Sequence, residues 1–249
     1  MRLACIHHLD PPVLGFARPV LEASGWDVSH HSPYRGDVLP PPAEIDGAIV
    51  FGAAEQSVRD LDRDPVMQAE AAWLAEVVGR ELPVLGICFG AQLMARALGG
   101  CVERLPRRML TWDPLTPTAA AASDPLVGDL PEGARALQWN EDGFEPPPGA
   151  VELLARRGQR GVGYRLGTWA WGVQFHPEVD GAVLDSWYVG WPSAVDEAGV
   201  TEAAARAADA EHLPAHALLA RTVFGRFLKV MRRDAGGGTR TPTACTTRT

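Results

Sequence analysis

Two runs early in the chain, Ile45–Phe51 (IDGAIVF) and Pro83–Ile87 (PVLGI), lack the polar alternation of a half-solvated strand. A strand without alternation is covered on both faces, as in a parallel sheet between layers of helices. Helix and strand signals alternate around them. Leu3–His7 reads as a first strand and Trp26–His30 as a second, with a turn-rich stretch over 32–44. Val13–Ser24 has helical spacing at Val13, Phe16, Val20 and Leu21, and Gly25 is placed to stop it. Asp64-Pro65 is an N-cap and first-turn pair opening a helix to about Gly79, with Val66, Ala69, Trp73 and Val77 on one side. Ala91–Leu98 is a further helix, closed by Gly99-Gly100. This order specifies an α/β fold: a doubly wound, mostly parallel central sheet flanked by helices, with right-handed crossovers.

After Cys101 the texture changes. The runs LTWDPL, ARALQW, AVELLA and WAWGVQF, separated by turns, read as further strands, partly antiparallel. Thr201–Glu211 and Pro214–Arg233 read as two helices, the second with Leu218, Val223, Phe227 and Val230 on a broad apolar face. The expected organisation is one domain over 1–191, a helical extension over 192–235 packed on it, and a disordered tail over 236–249.

The 249 residues carry a net charge of −8, against broad nucleic-acid or anionic-membrane binding. No apolar run reaches the roughly 18 residues of a membrane-spanning helix, and the N-terminal apolar stretch is too short for a signal peptide. Four cysteines (Cys5, Cys88, Cys101, Cys245) do not make a disulfide framework in a chain this long, so reduced thiols and a cytoplasmic location are expected. Cys101 reads as buried structure and Cys245 as part of the tail. His7-His8 and His30-His31 with Cys5 invite a metal reading, but adjacent strand residues face opposite ways, so no metal is expected. The Arg104–Arg108 cluster reads as a solvated face, and Trp169, Trp171, Trp187 and Trp191 as packing residues under the C-terminal extension.

The chemistry-bearing stretch is Val84–Gln92, VLGICFGAQ. Strand, then Gly86-Ile87-Cys88-Phe89-Gly90, then helix is a nucleophile elbow. The turn exposes the thiol at the carboxyl edge of the sheet, where open α/β folds bind ligands. The helix N-terminus favours the thiolate, and its free N–H groups can hold an oxyanion. A thiol nucleophile needs a base, and the base an orienting group. His176 lies at the end of WAWGVQF, and Glu178 follows two residues later, on the same side if the backbone is extended. Cys88, His176 and Glu178 are the candidate triad.

GICFGAQ together with GVQFHPE resembles the class I, triad-type glutamine amidotransferases, and within them the stand-alone GMP-synthase-like domains. The resemblance runs over most of residues 1–180 and implies a flavodoxin-like fold of that class. It further implies that Cys88 attacks the side-chain amide of glutamine, that His176 shuttles the proton, and that water hydrolyses a γ-glutamyl thioester to glutamate and ammonia. It places the oxyanion at the backbone N–H groups of Phe89 and near Gly52, and Gln92 beside the substrate. No cofactor is implied, and a separate ammonia-using synthase is the expected partner. A γ-glutamyl hydrolase and a catalytically weak regulatory or binding protein are the alternatives. Four stretches depart from the family pattern: Phe51-Gly52-Ala53 in place of Gly-Gly-Pro, Asn140 in place of a histidine, Met109–Trp112 in place of Glu-Ile-Gly-Trp, and Val162 in place of a glutamine. In relatives these positions line the amino-acid pocket.

Overall fold

The structure, a computed structural model, describes residues 1–130, 133–156 and 159–236. The elements are β1 (Arg2–Ile6), α1 (Ala17–Glu22), β2 (Asp27–His31), β3 (Gly47–Val50), α2 (Pro65–Gly79), β4 (Val84–Ile87), α3 (Phe89–Ala97), β5 (Cys101–Pro114), β6 (Thr116–Pro117), β7 (Arg135–Glu145), β8 (Val151–Arg156), β9 (Gln159–Leu166), β10 (Ala170–Val173), α4 (Gly181–Gly190), α5 (Pro192–Glu197) and α6 (Glu202–Gly236). One eight-stranded sheet runs β2-β1-β3-β4-β10-β9-β8-β6. Strands β2, β1, β3, β4 and β10 are parallel, and β9, β8 and β6 add antiparallel pairs. A separate antiparallel ribbon pairs β5 with β7.

The apolar runs fold as a doubly covered sheet requires. All four residues of β3 and of β4 are buried. One face packs against α1 and the second half of α6, where Phe224 and Phe227 are fully buried beside Leu3, Ile49 and Trp171. Each such phenylalanine stabilises the fold by about 2–3 kcal/mol. The other face is covered by α2 and α3 through Met67, Leu74, Phe89 and Met94. A third cluster joins the β5–β7 ribbon to α4, α5 and the start of α6. Among the described residues no helix is long and apolar enough to cross a membrane.

Several expectations are corrected. The first helix begins only at Ala17, because Gly15 turns the chain at φ +42°, where a Cβ would lie 2.0 Å from the Glu178 carbonyl oxygen. The Asp64 cap is as expected, accepting from the N–H groups of Val66 and Met67. The buried face of α2, however, is Met67, Glu70, Ala71, Trp73, Leu74, Val77 and Val78; Ala69 is exposed and Val66 only half-buried. Thr201–Glu211 and Pro214–Arg233 are one helix, α6, with Pro214 inside it. An interior proline costs about 3 kcal/mol. Both halves are held in place: Asp209 accepts from Trp112 Nε1 at 2.8 Å and Tyr188 Oη at 2.6 Å, and Val223–Met231 dock on the sheet. Leu218 lies off that face, 53% exposed. Cys101 is exposed, since it opens a strand at the edge of the ribbon. The expected disordered tail lies outside the described residues except for Gly236, the last residue of α6.

Candidate active site

Cys88 stands between β4 and α3 at φ +50°, a left-handed conformation that a residue with a side chain rarely adopts. Strain of this kind persists only where the surroundings enforce it. Here its N–H donates to the Val173 carbonyl at 2.8 Å, and two glycines let the turn close. A Cβ on Gly86 would meet the Gly90 carbonyl at 2.8 Å; one on Gly90 would meet the Val50 carbonyl oxygen at 2.2 Å. The glycine frame is therefore steric: helix and sheet approach too closely for any other residue. Phe89 is the first residue of α3, so its N–H has no acceptor within the helix.

The segment after β10 delivers the imidazole. His176 N–H donates to the Leu137 carbonyl at 2.9 Å, and His176 Nδ1 lies 2.8 Å from Glu178 Oε1. The His176 imidazole lies within electrostatic reach of the Cys88 thiol. Its Nε2 lies 3.4 Å from the Trp139 carbonyl oxygen, toward which the Cys88 thiol also points at 4.0 Å. The structure thus brings Cys88, His176 and Glu178 together, but not by an extended backbone. Glu178 lies in a turn, pinned by its carbonyl accepting from Phe16 N–H at 2.8 Å.

Burial alone would lower the pKa of His176. The Cys88 thiolate and the Glu178 carboxylate outweigh it and raise the imidazole well above its ordinary range. The arrangement therefore favours a protonated imidazole beside Cys88.

Cys88 and His176 face an open cavity of about 100 Å³, lined also by Gly52, Phe89, Gln92, Asn140, Trp139, Trp187 and Arg108, while Glu178 lies buried behind the imidazole. Gly52 lies against the imidazole: a Cβ there would sit 2.9 Å from His176 Cε1. Gln92 is not free to swing into the cavity. Its Nε2 donates to the Asp142 carbonyl at 2.9 Å and to Gln174 Oε1 at 3.1 Å. Of the departures from the family pattern, Phe51-Gly52-Ala53 and Asn140 border this site. Val162 is buried in the core, and Thr111 and Trp112 line a separate cavity. Two of the four departures therefore lie at this pocket and two lie away from it.

Four features were missed. Gln174 Nε2 donates to Cys88 Sγ at 3.4 Å; its signal was its place inside GVQFHPE. The Trp139 carbonyl has no side-chain signal. Arg108 is not a solvated charge: with Arg104 it pairs with Glu141, and its Nε donates to Glu197 of α5 at 2.8 Å. Trp187 packs edge-on against His176 at 4.9 Å, so Trp187 and Trp191 line the site as well as filling the extension's contact.

An open α/β sheet with a cysteine elbow and an imidazole at its carboxyl edge is the layout of the cysteine-nucleophile α/β proteins. Residues 42–189 match the family Glutamine amidotransferase class-I. The chain belongs to that family, and its relatives place it among the GMP-synthase-like members. A glutamine amidotransferase-like protein, YfeJ, of Salmonella typhimurium is 29% identical over 63% of this chain and 67% of its own length. One subunit of the glutamine-hydrolysing GMP synthase of Ignicoccus hospitalis is 30% identical over 61% of this chain and 78% of its own. By contrast, the match spans only 28% of the full-length GMP synthase of Aeropyrum pernix, with 34% identity. The glutamine amidotransferase of Methylobacillus flagellatus superposes with a TM-score of 0.82 at 23% identity, covering 96% of this chain and 99% of the other, which shows the shared fold.

Proposed function

We propose that the protein hydrolyses the side-chain amide of glutamine through a thioester on Cys88. The supporting observation is the His176 ring, held by Glu178 at 2.8 Å on one side while its Nε2 and the Cys88 thiol converge on the Trp139 carbonyl on the other. The thiolate attacks the amide carbon, and the oxyanion is held by the N–H groups of Phe89 and the loop at Gly52. The C–N bond breaks as the imidazolium gives its proton to the departing ammonia. Neutral His176 then takes a proton from water, which attacks the thioester. Glutamate leaves, and the thiolate–imidazolium pair is restored. Glu178 holds the ring and stabilises its charge.

On this reading residues 1–191 form the glutaminase unit, and 192–235 cover its pocket and core. The similarity to a separate GMP synthase subunit supports an ammonia-using synthase as partner.

Purified protein is expected to release glutamate and ammonia from glutamine. Cys88→Ala should reduce this by at least about 10⁴-fold, the scale of losing a nucleophile, with an unchanged circular dichroism spectrum. Equal turnover by both proteins would refute the mechanism. Turnover of γ-glutamyl amides without glutamine would move the substrate class to a γ-glutamyl hydrolase. No turnover of either, alone or with lysate supplying a partner, would favour a binding role.

A further inference from the structure

A second thiol–imidazole group lies outside this chemistry. Cys5 on β1 is the register partner of His30 on β2, and His7, two residues beyond Cys5, projects to the same face. His7 Nε2 and His30 Nδ1 are 2.9 Å apart. One donor atom from each of Cys5, His7 and His30 lies within 4.8 Å of the other two. The adjacent histidines are committed elsewhere. His8 lies between the Phe51 carbonyl and both oxygens of Glu70, and His31 between the Val38 carbonyl and Ser29.

We propose that Cys5, His7 and His30 form a binding site for one zinc ion, with a solvent-derived ligand in the fourth position. One thiolate and two imidazoles are a donor set suited to zinc and poorly suited to calcium or magnesium. Tetrahedral zinc at about 2.0 Å from nitrogen and 2.3 Å from sulfur needs donors roughly 3.3–3.6 Å apart. The two rings must part by a few tenths of an ångström, and His30, at the surface, is free to do so. His7 is already oriented, its ring stacked on Phe51 at 4.8 Å and 10°.

Binding balances simply. Zinc displaces the Cys5 proton to solvent, and the proton held between the rings moves to a nitrogen facing away from the metal. The thiolate cancels one of the two charges. Arg18 faces His30 and opposes the rest, while Glu22 and Asp27 at the same surface cavity offset Arg18.

The test uses full-length protein carrying Cys88→Ser, Cys101→Ser and Cys245→Ser, freed of metal by chelation. Zinc is titrated against a chromophoric chelator, and cobalt(II) serves as a probe of sulfur ligation. Expected are one equivalent of zinc, release of one proton, and a thiolate-to-cobalt charge-transfer band. His30→Gln should weaken zinc by on the order of 100-fold or more, while His31→Gln leaves it unchanged. His30→Gln carries the decision if Cys5→Ser, at a fully buried site, fails to fold. Absence of stoichiometric zinc, absence of the cobalt band, or zinc affinity indifferent to His30→Gln would each overturn the proposal.

Discussion

The sheet carries two cysteine–histidine pairs, Cys88 with His176 and Cys5 with His7, and identical residue types are put to opposite use. Cys88 stands on a strained turn at a helix N-terminus, with an amide N–H of Gln174 aimed at its sulfur. Cys5 lies inside β1, paired with strands on both sides, and burial pushes its thiol far up. His176 has a carboxylate behind it and a thiolate before it, so its pKa rises despite burial. Burial lowers the His7 pKa, and the His30 imidazole facing it lowers it further. Reactivity is set by backbone conformation and by the group behind the ring, not by the presence of a thiol near a histidine.

The widest consequence is in thiol modification. Under native conditions iodoacetamide should modify Cys5 at least about 10³-fold more slowly than Cys88, because a core strand opens only at free energies near the global stability. Intact-mass and peptide analysis over time would show this. Comparable rates would erase the distinction.

The next test asks whether Gly52 is part of the machinery. Gly52→Ala places a methyl 2.9 Å from His176 Cε1, and the ring must move. A displacement of this kind costs roughly 100-fold in rate. The fall should appear in kcat with the Cys5 labelling rate unchanged. A variant with wild-type kcat would show that the ring has room the structure denies it.

How far the site could be read from sequence follows from what each contact depends on. Strands β3 and β4 were legible because burial on both faces leaves unbroken apolar runs. Strand β5 was only half legible: its exposed edge carries Arg104–Arg108, which resemble a solvated loop until Glu141 and Glu197 are placed opposite them. Cys88 and His176 were legible from local motifs. Glu178 was legible for the wrong reason, since a turn and not an extended strand brings it to His176. The Trp139 carbonyl and the Cys5–His30 pairing were not legible. The first is backbone, which every residue has. The second depends on the register of β1 against β2, which no local pattern states.

Glu178→Gln separates orientation from charge. Glutamine can still accept from His176 Nδ1, but it no longer stabilises the imidazolium. Loss of that charge lowers the His176 pKa, so the alkaline limb of kcat/KM moves to lower pH. Turnover should fall by roughly tenfold, the equivalent of one pKa unit of lost interaction. An unmoved limb would assign Glu178 to holding the ring alone.

The smallest effect tests the group that ties α6 to the site. His216 is buried on α6, its Nε2 donating to the His176 carbonyl at 3.1 Å and its ring set edge-on against Trp112 at 5.0 Å. Burial, partly offset by Glu178 and by backbone acceptors, brings its pKa down to about 4. In the unfolded chain this histidine takes up a proton near its ordinary 6.5, and in the fold it does not. Stability is therefore lost as pH falls from that value toward 4, in the sense opposite to His176, whose protonated form is favoured by the fold and whose contribution fades as pH rises through its raised pKa. Between about pH 7 and 5.5 the His216 contribution amounts to about 1 kcal/mol. His216→Gln keeps a donor for the His176 carbonyl and removes the titration. Urea unfolding at both pH values should show the variant losing less stability on acidification than the parent. The parent retains an acid slope from His7, which also stays neutral in the fold, so the difference between the two slopes, and not either slope alone, reports on His216.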